Sequence, residues 1–215
     1  MLKVEALEQS YGSKQVLKGL SANFGSGLVH GIIGLNGAGK TTFFQCICGL
    51  QNYTGKIYDT DLHSLKNHIG YVPTEPYFFP RIKGKEYLDF MRHAKGTEGS
   101  NFRDAFTFDL PLDEYIDNYS TGMKRKIAFL GAMIGQSDIY ILDEPFNGVD
   151  IRSNLVLKQK ILELKAAGKT ILLSSHIISS LTELCDEIHL LKDGIISKHY
   201  MPVAYNKVEE DMMNE

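Results

Sequence analysis

The chain has 215 residues, 43% of them hydrophobic and 23% charged, with a formal net charge of −3. That size and balance describe one folded domain with a substantial core, and they exclude a global basic field for nucleic acid. No apolar run approaches the ~18 residues that a membrane span requires, and MLKVEALEQSYG at the start lacks the apolar centre of a signal peptide.

Taken in chain order, Leu2–Leu7 alternates as a strand, Gln15–Phe24 is a second strand, and Leu28–Ile33 is a short apolar strand ending in glycine. A glycine-rich loop over 34–39 leads into a helix over Thr41–Leu50 that Gly49 stops. Gly55–Tyr58 and His68–Val72 read as further strands. Pro73, Pro76 and Pro80 then mark a change of texture, after which only helical patterns occur: Lys85–Lys95, the region around Asn101–Phe108, and Thr121–Ile134. Strand–helix alternation resumes with the strand Ile139–Leu142, a helix over Ile151–Ala167, the strand Thr170–Ser174 and a helix over Ile178–Cys185. Glu187–Leu191 and Ile195–His199 close as a hairpin over Asp193-Gly194. The acidic tail after Pro202 is expected to fray. Cys46, Cys48 and Cys185 suit a reducing cytosol. Cys46 and Cys48 point in different directions on one helix, with no His or Cys cluster to make them a metal pair.

Two stretches carry phosphate chemistry. GLNGAGKTT, Gly34 to Thr42, matches the phosphate-binding loop G-x-x-x-x-G-K-[ST] between a strand and a helix. Its backbone N–H groups would curl around a phosphate at a positive helix end, Lys40 would reach the β- and γ-phosphates, and the Thr41 hydroxyl would take a Mg²⁺ position. DIYILDEP, Asp138 to Pro145, puts Asp143 at the carboxyl end of a buried strand. Asp143 would hold Mg²⁺ through water, and Glu144 could act as general base on the attacking water. In DNYSTGMKRK, Ser120 reads as the N-cap of a helix that carries Lys124, Arg125 and Lys126 at its electropositive end. That arrangement calls for an anion.

The ordered series GLNGAGKTT, YVPTEP, YSTGMK, ILDEP, NGVD and SSH resembles the ATP-binding subunits of ABC (ATP-binding cassette) transporters over essentially the whole chain. The resemblance implies an α/β fold: a P-loop NTPase core with a mostly parallel sheet, an N-terminal antiparallel β subdomain and a short helical subdomain. The 1–215 domain would divide into a core over about 1–75 and 136–202, a helical subdomain over about 76–135 and a tail over 203–215. The resemblance implies ATP contacts from Asn36, Gly37, Ala38, Gly39, Lys40, Thr41 and Thr42, with Tyr11 stacking on adenine. Tyr11 read by itself is equally a strand-edge packing residue. Two ATPase subunits, as a homodimer or heterodimer, would pack head to tail so that Ser120, Thr121 and Gly122 of one meet the γ-phosphate held by the other. Tyr119, Thr121 and Met123 depart from the commonest Leu-Ser-Gly-Gly-Gln form.

Asp150 in NGVD would lie in the loop that crosses that interface, and His176 would contact the γ-phosphate and Glu144. Where the family commonly reads Tyr-x-Pro-Gln, this chain reads Tyr71-Val72-Pro73-Thr74. The metal contact at Thr74 is then made through water, or lost. Tyr77-Phe78-Phe79 is either a docking surface for a membrane permease or lobe core. The implied function is a cytoplasmic ATPase, with Mg²⁺ as cofactor, peripheral to the membrane through an integral-membrane permease. The signature and the lack of a C-terminal regulatory domain look more like export-type systems. The rival readings are a non-transport ABC ATPase acting on DNA or ribosomes, and a regulatory module that does not hydrolyse.

Overall fold

The computed structural model describes residues 1–97 and 108–213. Most of the helical pattern around Asn101–Phe108 lies outside those residues; Phe108 itself is described and is not helical.

Two sheets organise the chain. The first is antiparallel, in the order β2-β1-β4, from β1 (Leu2–Tyr11), β2 (Lys14–Phe24) and β4 (Thr54–Asp59). Strand β1 runs four residues beyond its predicted end at Leu7, because Tyr11 pairs with Lys14 across a tight turn in which Gly12 has φ 58°. The second sheet has the order β5-β6-β7-β3-β8-β9. It is built from β3 (Val29–Ile33), β5 (Ile69–Val72), β6 (Ile139–Asp143), β7 (Thr170–Ser174), β8 (Glu187–Lys192) and β9 (Ile195–Tyr200). Every pairing in it is parallel except β8 with β9. Strands β3, β6 and β7 are buried at every position, as expected where a parallel sheet is covered on both faces.

Different groups cover the two faces. Toward the antiparallel sheet, Leu2, Leu7, Leu17 and Phe24 pack with Ile32, Ile141 and Leu172 and with Phe43 and Phe44 of α1 (Lys40–Ile47). On the other face, Val29, Leu142 and Leu173 meet Phe129 of α3 (Thr121–Ile134), Leu157 and Ile161 of α4 (Ile151–Ala166), and Leu181 of α5 (Ile178–Leu184). A smaller core joins Leu88 of α2 (Gly84–Lys95) to Ile127, Leu130 and Ile134 of α3, with Ile116 and Tyr119. Helix α3 thus belongs to both lobes. Its Ile127 face serves the helical lobe, and its Phe129 face covers the sheet.

The tail corrects the sequence expectation. Instead of fraying, it makes a 3₁₀ turn at Pro202–Ala204 and the helix α6 (Asn206–Met213). Val208 is fully buried in the main core, and Met212, one helical turn on, packs against it. Tyr205 donates its hydroxyl to the Cys185 carbonyl, and Asp211 accepts from Tyr200 and Lys198. Two apolar anchors at i and i+4 are too weak a local signal to forecast a helix, whose stability here comes from docking.

Candidate functional site

The glycine loop bends where only glycine fits. A Cβ on Gly34 would stand 2.3 Å from the Leu191 carbonyl oxygen, and Gly39, the residue that starts α1, holds φ 108°. With no acidic residue in its first turn, α1 presents its free N–H groups to the cleft. Lys40 folds back over the loop, its Nζ donating to the carbonyls of Gly34 at 2.7 Å and Leu35 at 3.3 Å. Burial lowers the Lys40 pKa from its ordinary value, against the pull of Glu144 and Asp143. A cleft of about 380 Å³ is lined by Tyr11, Lys14, Val16, Asn36, Gly37, Gly39, Lys40, Thr41, Thr42, Thr74, Asp143 and Glu144. The predicted residues of the loop, the strand end and Tyr11 therefore face one space, apart from Ala38. Tyr11 is half exposed there, as a ring offered to a planar ligand would be.

A chain of hydrogen bonds links the acids. The Thr41 hydroxyl donates to Asp143 Oδ2 at 2.7 Å, and Ser174 Oγ donates to Asp143 Oδ1 at 2.6 Å. The same Ser174 oxygen accepts from the Glu144 N–H at 2.9 Å. Glu144 is a non-glycine residue at φ 52°, a strained backbone of the kind found at functional sites. His176 Nδ1 donates to Glu144 Oε2 at 2.8 Å, and the His176 N–H approaches the same oxygen at 3.3 Å. Thr41 and Asp143 thus bring hard oxygen ligands within 2.7 Å of each other, a donor set that fits Mg²⁺. Sequence reasoning missed Ser174 as a positioning residue. Its place at the end of β7, beside Asp143 at the end of β6, was the available signal.

The three cations of α3 have separate fates. Lys126 Nζ lies 2.7 Å from Asp150 Oδ2, and Asp150 caps α4 by accepting from the Ser153 N–H at 2.9 Å. Lys126 and those Ser153 bonds hold the Asp150 carboxyl well below the usual carboxylate range. Arg125 is only 8% exposed and donates to the Thr74 carbonyl at 3.2 Å. Lys124 stays partly exposed. The cations that follow the signature are thus engaged within the subunit at two of three positions, and the anion the sequence called for is not needed to hold them. Ser120 caps α3, accepting from the Met123 N–H at 3.2 Å, and both Ser120 and Thr121 are exposed. Gly122 lies against the 147–150 loop, where a Cβ would come within 2.7 Å of the Gly148 carbonyl. Residues 120–122 are not among the described residues lining the 380 Å³ cleft.

The Thr74 departure becomes concrete, because Thr74 lines the cleft whereas Glu75 does not and is exposed. The aromatic triplet divides. Phe78 packs edge-on to Tyr87 inside the helical lobe, whereas Tyr77 and Phe79 are 79% and 54% exposed.

Comparison with known proteins agrees with this arrangement. The family model for the ABC transporter matches residues 17–147. An uncharacterized ABC transporter ATP-binding protein of Methanocaldococcus jannaschii is 33% identical over 97% of this chain and 78% of its own length. A manganese transport system ATP-binding protein of Halalkalibacterium halodurans is 29% identical over 95% of this chain and 87% of its own. Among solved structures, the ATP-binding subunit of an ABC transporter superposes with a TM-score of 0.85 at 26% identity, covering all of this chain and 95% of that one. A dimeric ATP-binding cassette bound to ADP and Pi shares the fold at a TM-score of 0.80 and 21% identity, over 94% of this chain and 99% of that one. With the phosphate loop, the paired acids and the two-lobed architecture in one chain, and a family match across more than half of it, this protein belongs to the ATP-binding subunits of the ABC transporter family.

Proposed function

We propose that the protein binds and hydrolyses ATP and that this cycle drives a separate membrane permease. The observation that carries the reading is the Glu144 carboxylate, which lines the same cleft as Lys40 and Thr41 and is oriented by His176. The loop N–H groups and Lys40 bind the phosphates, Tyr11 packs on the base, and Thr41 and Asp143 would hold Mg²⁺. That ion supplies positive charge that offsets the phosphates' negative charge. Glu144 accepts a proton from water as its oxygen bonds to the γ-phosphorus, the bond to the β,γ-bridging oxygen breaks, and ADP and phosphate leave. His176 keeps the Glu144 carboxylate aimed.

Ser120, Thr121 and Gly122 serve a second subunit. They sit at the start of α3, Ser120 and Thr121 exposed and Gly122 against the Asp150 loop, and offer helix N–H groups to the γ-phosphate of a partner packed head to tail. Two nucleotides held across such an interface supply the differential affinity that closes the dimer. The exposed Tyr77 and Phe79, joined edge-on by Phe90, form an aromatic patch on the helical lobe suited to the permease. Among the described residues no helix is long and apolar enough to cross a membrane, so in this reading the subunit sits at the cytoplasmic face and reaches the bilayer through its partner.

Phosphate release from MgATP tests the reading. The rate per chain rises with protein concentration as dimers form, and a rate that is zero, or flat through the dimerisation range, contradicts it. The same assay addresses Thr74. Its hydroxyl is two atoms shorter than a Gln amide, so any Mg²⁺ contact it makes is indirect. Thr74→Gln is expected to lower the Mg²⁺ concentration for half-maximal turnover about tenfold, the worth of one hydrogen bond to a charged group. An unchanged Mg²⁺ dependence and rate would show that Thr74 does not limit the metal contact.

A further inference from the structure

Around Glu187 at the start of β8, three histidines and one carboxylate from three strands converge. Glu187 Oε2 lies 3.2 Å from His30 Nδ1, 3.7 Å from His189 Nε2 and 3.3 Å from His199 Nε2. The register explains the meeting: His30 of β3 is level with Glu187 at the start of β8, and His189 faces His199 of β9. Ring nitrogens of His30 and His189 and a carboxylate oxygen of Glu187 all fall within 4.8 Å of one another. His30 is fully buried, and Phe24 walls the group by standing edge-on to both His30 and His189.

The protons decide what belongs there. His30 Nε2 is 2.9 Å from the Gly25 carbonyl, which can only accept, so Nε2 carries a hydrogen. In the neutral ring, Nδ1 then presents a lone pair toward a carboxylate oxygen. Neither His30 Nδ1 nor His189 Nε2 makes a hydrogen bond, and both atoms are cut off from solvent. A cation between the lone pairs satisfies all of them at once.

We propose that His30, Glu187 and His189 form a structural site for a divalent cation of the zinc class, with His199 stacked on His189 at its rim. Two imidazoles and one carboxylate are a donor set for Zn²⁺ that leaves the fourth tetrahedral position to water, and metal–ligand bonds of about 2.0–2.1 Å give a tetrahedron edge of about 3.3–3.4 Å. The separations of Glu187 Oε2 from His30 Nδ1 and His189 Nε2, 3.2 and 3.7 Å, bracket that edge. The Nε2–H of His30 given to a backbone carbonyl is the outer hydrogen bond that ligating histidines make. His199, half exposed, is the entry side. The ion ties β8 to β3, the strand that runs into the phosphate loop.

The untagged chain, stripped by a chelator and freed of it, is titrated with Co²⁺ alone while visible absorption is followed, and Zn²⁺ is then added. One equivalent of Co²⁺ per chain should give a tetrahedral spectrum that Zn²⁺ displaces, and Zn²⁺ should raise the melting temperature. Glu187→Gln, at the most accessible ligand, should weaken binding at least tenfold and cancel the thermal shift, whereas His176→Gln should leave both intact. If His189→Gln does not fold, Glu187→Gln alone carries the test. The proposal is overturned by the absence of a tetrahedral spectrum, by equal affinity in the wild type and Glu187→Gln, or by loss of binding in His176→Gln.

Discussion

Replacing Glu144 by Gln is expected to lower ATP turnover by about 10²–10⁴-fold while leaving ATP binding in place. The carboxamide keeps the shape of the side chain, and its oxygen still accepts from His176 Nδ1, now 2.8 Å from Oε2. What disappears is the group able to take a proton from water. Lys40, Thr41 and the loop N–H groups are untouched, so the affinity for nucleotide should change little. Phosphate release and nucleotide binding, measured on the same preparation, separate the two effects. Turnover retained within tenfold of the wild type would remove Glu144 from the role of base.

Ser120→Arg is the second large effect. Ser120 is exposed at the start of α3, and residues 120–122 are not among the described residues lining their own subunit's cleft. A guanidinium there should obstruct the approach of a second subunit, so ATP binding persists while dimer closure and turnover are abolished. The substitution also removes the cap on the Met123 N–H, a loss typically worth about 1 kcal/mol. Ser120→Ala makes the same loss without the bulk and serves as the comparison. If Ser120→Arg hydrolyses ATP as fast as Ser120→Ala, the signature does not meet a second subunit.

How much of this is legible in the sequence depends on whether the causes are local. The strand over 28–33, the glycine loop and α1 are contiguous, and each is specified by its own residues, so fold class and phosphate loop can be read directly. The same holds for β6, with its uninterrupted apolar run ending at Asp143. The destinations of Lys126 and Arg125 cannot be read this way. Their partners, Asp150 and the Thr74 carbonyl, lie far along the chain and are brought close only by packing. Ser174 bridges Asp143 and Glu144 because β6 and β7 are neighbours in register, a fact of sheet order rather than of motif. The docking of α6 through Val208 and the gathering of His30, His189 and His199 are likewise long-range. In each case the residue types are ordinary and only the register makes them matter.

The central claim is that ATP closes two chains on each other and that hydrolysis reopens them. It is tested most directly by the mass of the Glu144→Gln protein in solution, by light scattering, with and without ATP. The account predicts a particle of one chain, 24.1 kDa, without nucleotide, and twice that mass once ATP is added, persisting because hydrolysis is blocked. A Glu144→Gln protein that binds ATP and remains at 24.1 kDa would contradict it.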